Sequence, residues 1–199
     1  MDDFFAPQDD LRLEIAMAAA RLIAEDGYDY PSARNKAIKE LAGNTRLPRD
    51  RIPLDAEIEQ EVRNYQTLYL SDTQPQELLQ LRRTALSLML ALQEFEPIVY
   101  GASVNGTGSH HSDLHVLAFS DNPKEIDYWL LNRDIAFEAC EDALLAGRSF
   151  PAVAFQWKDR WVQLGCSDPR DRRGLLKRNE SLFQTDAAGL QRLLEDPAQ

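Results

Sequence analysis

Apolar residues recur every three or four positions through the first hundred residues, a period typical of amphipathic helices. The first helix is predicted in DDLRLEIAMAAARLIAEDG, where Leu11, Ile15 and Leu22 share one face and Gly27 ends it. Three more helices are predicted in the same way: SARNKAIKELAG, a segment capped by Asp55, and the Leu-rich ELLQLRRTALSLMLALQEF.

After Pro97 the pattern changes to short runs of β-branched and aromatic residues between turn signals, which predict strands. The strands are PIVYG, SDLHVLAF and IAFEAC, followed by PAVAFQW and RWVQLGC as a hairpin turned by Lys158 and Asp159. Helices are predicted in DNPKEIDYWLLNR and TDAAGLQRLLED. This order indicates an α+β fold: a helical segment, 1–75, packed on a small mixed sheet within a core with a C-terminal tail helix, 76–199.

The composition argues against nucleic-acid binding, membrane insertion and export. The 199 residues are 44% hydrophobic and carry a net charge of −11, which opposes broad binding to nucleic acid. No apolar run approaches the roughly 20 residues that span a bilayer, and the acidic start MDDFFAPQDD lacks the pattern of an export signal. Cys140 and Cys166 lack CxxC spacing, which fits a reducing compartment. We therefore expect a cytoplasmic protein with no membrane partner.

One stretch departs from the acidic average. From Lys158 to Arg178 there are seven basic residues against three acidic ones. Two interpretations stay open at this point, a solvated loop or a phosphate-binding patch that includes Arg170, Arg172 and Arg173.

The segment YGASVNGTGSHHSDLHVLAF, residues 100–119, carries the candidate chemistry. Gly101 and Gly106 predict a tight turn whose backbone N–H groups can approach phosphate. Asp113 and His115 are two residues apart on a predicted strand, so their side chains face the same way and can share one ion. The alternative is a glycine turn joining two strands, in which Ser112 or Asp113 caps nearby backbone N–H groups.

This segment resembles the nucleotidyltransferase superfamily that includes DNA polymerase β. The fingerprint of that superfamily is Gly-Ser, a further glycine, and then Ser-Asp-x-Asp on the following strand. Gly101 and Gly106 match the two glycines, Thr107 follows the second, and Ser112 and Asp113 match the Ser-Asp pair. Most of the chain also resembles short bacterial nucleotidyltransferase-like proteins.

The resemblance implies transfer of a nucleoside monophosphate from a nucleoside triphosphate to an acceptor that the sequence does not identify. It implies Mg²⁺, or Mn²⁺ or another divalent metal, held by Asp113 and His115 as the catalytic pair. The nucleotide-binding residues would be Gly101, Ala102, Gly106, Thr107, Ser112, Arg170, Arg172 and Arg173.

The sequence departs from the fingerprint at three places. Ala102 stands where the first serine belongs, and His115 replaces the second aspartate although Mg²⁺ prefers oxygen ligands. The candidate strand for a third carboxylate, RWVQLGC, offers Gln163 instead. A catalytically silent nucleotide-binding or protein-interaction module is therefore the alternative interpretation.

Three further alternatives remain. AAARLIAEDGYDYPSARNKAIKELAG resembles the first helices of tetracycline-repressor-type regulators, but the next segment is proline-broken and acidic, a poor match to a DNA groove. His110 or His111 could join Asp113 and His115 around a transition metal. A homodimer or a protein partner could use the third or fourth predicted helix, although no heptad run marks either.

Overall fold

The computed structural model describes residues 7–176 and 184–195. Over these residues helices and strands combine in the order expected of an α+β protein, which confirms the predicted fold class. The chain divides into two compact units, Met1–Gln74 and Pro75–Gln199.

The first unit is helical and its core is rich in alanine, which lets the helices approach closely. The carboxylate of Asp29 accepts the N–H of Ser32 at 2.8 Å and caps the second helix. Leu54 holds the cap position of the third helix, because the Glu57 carboxylate accepts its N–H at 2.7 Å, so the predicted cap at Asp55 is wrong by one residue. The elements are α1 (Pro7–Asp26), α2 (Tyr30–Ala42), a 3₁₀ turn (Arg49–Arg51) and α3 (Asp55–Tyr69).

The second unit is built around a sheet. Its strands are joined by short helices, and a long helix precedes them. The elements are α4 (Gln74–Ala91), a 3₁₀ turn (Gln93–Phe95), β1 (Ile98–Tyr100), α5 (Ala102–Asn105), β2 (Leu114–Phe119), α6 (Lys124–Leu131), β3 (Phe137–Ala139), β4 (Ala143–Leu145), β5 (Arg148–Phe150), β6 (Ala152–Trp157), β7 (Arg160–Ser167), α7 (Pro169–Leu176), β8 (Gln184–Thr185) and α8 (Ala187–Glu195).

The described strands form a six-stranded sheet in the order β3-β6-β7-β2-β1-β8 and a separate hairpin of β4 and β5. Every neighbouring pair in the larger sheet is antiparallel except β2 and β7, which run parallel. In their register Leu114 pairs with Val162 and His115 with Gln163. The amino ends of β2 and β7 therefore lie side by side, and the carboxyl end of β1 lies next to them.

The two faces of the sheet are covered differently. On one face Val116, Val162 and Leu164 pack in a buried cluster with Leu81 and Leu88 of α4. On the other face the β4–β5 hairpin and α7 pack on the sheet, and the buried residues of this second cluster are Ile98, Tyr100, Leu117, Phe119, Ala143, Leu145, Phe150 and Leu175.

The basic stretch after the β6–β7 turn is ordered. Residues from Arg160 onward form β7 and then α7, so the interpretation of this stretch as a solvated loop is wrong for the residues up to Leu176. Lys177 and Arg178 lie outside the described residues.

Gly165 allows the β4–β5 hairpin to rest on β7. A Cβ atom added there would lie 2.8 Å from the Cβ of Ala143 and 2.9 Å from Cδ1 of Leu117. We expect Gly165→Ala to lower the free energy of unfolding by about 1–3 kcal/mol, measured by urea denaturation, because the hairpin must shift. The control is Gly174→Ala in α7, where the added atom meets nothing within 4 Å and alanine favours the helix. Equal stability of the two variants would contradict this role.

Candidate functional site

A glycine turn joins β1 to β2. Gly101 has φ +76° and Gly106 has φ +89°, conformations that a residue with a Cβ rarely adopts. Between them lies the short helix α5, so the predicted order of strand, turn with short helix, and strand is confirmed. Asn105 braces the turn, because its Oδ1 accepts the N–H of Thr107 at 2.9 Å and the hydroxyl of Thr107 at 2.7 Å.

The glycine turn lies against the start of β2. A Cβ atom added at Gly101 would sit 3.7 Å from Cδ2 of His115. Tyr100, the last residue of β1, pairs with His115, and the centroids of their rings are 5.6 Å apart. Gly101 and His115 are thus brought together, while Ala102 is half-buried at the first position of α5.

Asp113 lies one residue before β2 rather than within it. Its side chain is exposed, yet partial burial raises the pKa of this carboxyl, while the charges of His115 and Arg160 act in the opposite direction. Ser112, the residue before Asp113, accepts the N–H of Ser109 at 3.0 Å, so the Ser112 hydroxyl braces the loop.

Gln163 occupies the position opposite His115 on β7. Its Oε1 lies 3.1 Å from Nδ1 of His115, and its Nε2 donates to the carbonyl of Glu141 at 3.0 Å. Because the amide oxygen accepts the hydrogen bond, Nδ1 of a neutral His115 carries the proton and Nε2 is left as an acceptor. The place at which the resemblance would require a third carboxylate therefore holds an amide.

Few side chains at this site can ligate a metal ion. Within residues 7–176 and 184–195 no group of three or more His, Cys, Asp or Glu side chains is arranged to hold a metal ion. Asp113 and His115 supply one carboxylate and one imidazole, which do not by themselves fit a two-ion phosphoryl-transfer centre.

Arg160 holds the loop that carries Asp113. Its side chain is only 7% exposed, and its Nη1 donates to the carbonyls of Ser109 at 3.1 Å and His110 at 2.5 Å, with a longer contact of 3.5 Å to Ser112. Sequence reasoning counted Arg160 only as part of the basic stretch. The one signal available was an arginine directly after a hairpin turn, two residues before Val162 and on the same side of β7 as the buried Val162 and Leu164.

His110 and His111 lie away from His115. The N–H and Nδ1 of His110 are 3.0 and 3.3 Å from Oε2 of Glu77 on α4. The His111 ring is exposed and lies against that of His110, with centroids 3.7 Å apart. The alternative transition-metal site, in which His110 or His111 would join Asp113 and His115, is not assembled among the described residues.

The three predicted phosphate-binding arginines are far from the glycine turn. Arg170 pairs with Asp168 at 2.5 Å, Arg172 donates to the carbonyl of Glu96 at 2.9 Å, and Arg173 is exposed. They follow the carboxyl end of β7, whereas the glycine turn lies at its amino end. From Val162, which pairs with the first residue of β2, to Ser167 at the carboxyl end of β7 is five residues, about 16 Å.

A groove of about 680 Å³ opens at this opposite end of the strands. Phe119, Asp121, Glu125, Tyr128 and Arg133 are among the residues that line it. It is separate from the glycine turn.

None of the helices in the described part of the chain is long and apolar enough to cross a membrane. Comparison of the chain with protein-family models, curated proteins and solved structures finds no match, so the nucleotidyltransferase resemblance stays a prediction from the glycine turn and the residues after it.

Proposed function

We propose that this protein binds a nucleoside triphosphate at the glycine turn and does not transfer the nucleotide. The observation that carries the proposal is the closeness of Gly101 to His115: a Cβ atom added at Gly101 would lie 3.7 Å from Cδ2 of His115, so the glycine turn lies beside the strand that follows Asp113. A turn with positive φ at two glycines leaves room for phosphate oxygens close to the backbone.

Asp113 gives the site its expected dependence on metal. A free triphosphate would be repelled by the carboxylate and by the net charge of −11. Mg²⁺ is commonly bound by one or two carboxylates together with substrate phosphates. We therefore expect the nucleotide to bind as its Mg²⁺ complex, with Asp113 as the protein ligand and His115 beside it.

Gln163 is the reason for proposing binding without transfer. A primary amide does not ionise near neutral pH, so it cannot take the acceptor's proton, and both ends of this amide are already hydrogen-bonded. The acceptor hydroxyl would thus lack the carboxylate base that the resemblance implies.

The proposal is tested by isothermal titration with ATP, GTP, CTP and UTP, each with and without Mg²⁺ or Mn²⁺. We expect binding that needs the metal and weakens at least tenfold, about 1.4 kcal/mol, in Asp113→Asn. The matched control is Asp121→Asn, which removes an exposed carboxylate at the carboxyl end of β2 and should bind normally. Asp113→Asn should fold at least as stably as the parent, because burial disfavours the ionised carboxylate in the folded state.

Two results would contradict the proposal. Failure of the folded parent protein to bind any of the four nucleotides would end the nucleotide-binding interpretation. Release of pyrophosphate that depends on Asp113 would show that the site is an active nucleotidyltransferase rather than a silent one.

A further inference from the structure

Trp161 is exposed beside the proposed nucleotide site. It is the second residue of β7, and 54% of its surface is accessible to solvent. Aromatic side chains bury large areas in folded proteins and in complexes, so a tryptophan left this open offers a broad flat surface for a ligand.

The strand register places Trp161 on the same face of the sheet as His115. Side chains two apart on a strand share a face, so Trp161 lies on the side of Gln163, whose amide contacts His115. Leu114 of β2 pairs with Val162 of β7. Asp113 directly precedes Leu114 and Trp161 directly precedes Val162, so both residues lie at the amino ends of these neighbouring strands. The β4–β5 hairpin packs on this face further along, at Gly165, whereas Trp161 near the amino end of β7 and Asp113 before β2 are exposed.

The distance between Gly101 and Trp161 suits a nucleotide. The strand β2 lies between β1 and β7, so Gly101 at the end of β1 and Trp161 on β7 are two strand spacings apart, about 10 Å. A nucleoside triphosphate can cover this span with its phosphates at the turn and its base on the indole. Gln156, the cross-strand partner of Trp161, is exposed as well and offers an amide donor and acceptor to the edge of the base.

We infer that Trp161 is the platform on which the base of the nucleotide stacks and that the preferred ligand class is a purine nucleotide. This inference rests on the proposed function. Purines present the larger aromatic face, so stacking favours ATP and GTP over CTP and UTP. A single nucleotide is the expected occupant rather than a nucleic-acid strand, because the net charge of −11 opposes a polyphosphate backbone.

The test compares ATP with inorganic tripolyphosphate, which has no base, each in the presence of Mg²⁺. Trp161→Ala should weaken ATP binding about tenfold, the scale of one stacked base, and leave tripolyphosphate binding unchanged. Trp161→Phe should keep most of the ATP affinity. The matched control is Tyr128→Ala, which removes an aromatic side chain of similar exposure, 58%, from α6 and should change neither affinity.

Fluorescence gives a second measurement. Of the three tryptophans, Trp129 is 4% exposed and Trp157 is half-buried, whereas Trp161 is exposed to a ligand. ATP should therefore quench the emission of Trp161, and the quenching should vanish in Trp161→Phe. Equal ATP affinity of the parent and Trp161→Ala would overturn this inference and leave nucleotide binding intact. Absence of ATP binding by the parent protein would instead overturn the proposed function and this inference together.

Discussion

Arg160→Leu is expected to lower the free energy of unfolding by about 3 kcal/mol, because it removes a buried guanidinium that binds several backbone carbonyls at once. The Arg160 side chain is 7% exposed, and its Nη1 reaches the carbonyl oxygens of Ser109, His110 and Ser112. Hydrogen bonds from charged donors contribute more than neutral ones, so the loss of the guanidinium removes the strongest donor from these carbonyls. The loop before Asp113 should loosen as a result.

Urea denaturation measures the change in stability, and amide hydrogen exchange over residues 109–113 measures the loosening. Arg160→Lys should fall between the parent and Arg160→Leu, because an ammonium keeps the charge but not the planar set of donors. The matched control is Arg173→Leu, an exposed arginine of α7, with an expected change within about 0.5 kcal/mol. If Arg160→Leu were as stable as this control, Arg160 would not be the residue that holds the loop.

Gln163→Glu is expected to create a metal site. It would place a carboxylate within reach of Nδ1 of His115, now 3.1 Å from the amide oxygen, and near Asp113. Two carboxylates and an imidazole are a better donor set for Mn²⁺ or Mg²⁺ than one carboxylate and an imidazole. We expect affinity for Mn²⁺ to rise at least tenfold, about 1.4 kcal/mol.

The same substitution should destabilise the metal-free protein by about 1–2 kcal/mol, because the carbonyl of Glu141 loses its donor and faces a carboxylate. Added Mn²⁺ should restore this stability. Titration of Mn²⁺ followed by electron paramagnetic resonance measures the affinity, and thermal unfolding with and without Mn²⁺ measures the stability. Gln163→Met is the matched control, since it keeps the length of the side chain without a carboxylate. Equal Mn²⁺ affinity in the parent, Gln163→Met and Gln163→Glu would show that the missing carboxylate at this position does not limit metal binding.

Much of the fold could be predicted because its signals are local. Positive φ at Gly101 and Gly106 favours glycine, and the two-residue turn at Lys158 and Asp159 lies between runs with strand composition. The β4–β5 hairpin, with three residues in each strand, was not predicted from the sequence. Its stability depends on contacts with Leu117 and Gly165, which lie far away along the chain.

The candidate site was predicted only in part, because it too depends on contacts between residues far apart along the chain. The sequence shows the side-chain types of Asp113, His115 and Gln163, including the amide of Gln163 at the position where transfer would need a carboxylate. Their assembly depends on the parallel pairing of β2 with β7, which joins residues 48 positions apart. No local pattern specifies such a pairing, since it is selected by burial of the whole sheet.

The α+β class, the glycine turn and the identity of the residues beside it follow from the sequence alone, because turn geometry and side-chain chemistry belong to individual residues. Three features emerge only from the folded chain: Arg160 braces the Asp113 loop, Trp161 shares a face with His115, and Arg170, Arg172 and Arg173 lie at the opposite end of β7. The physical reason is that strand direction and register fix which side chains meet, and both follow from packing across the whole sheet.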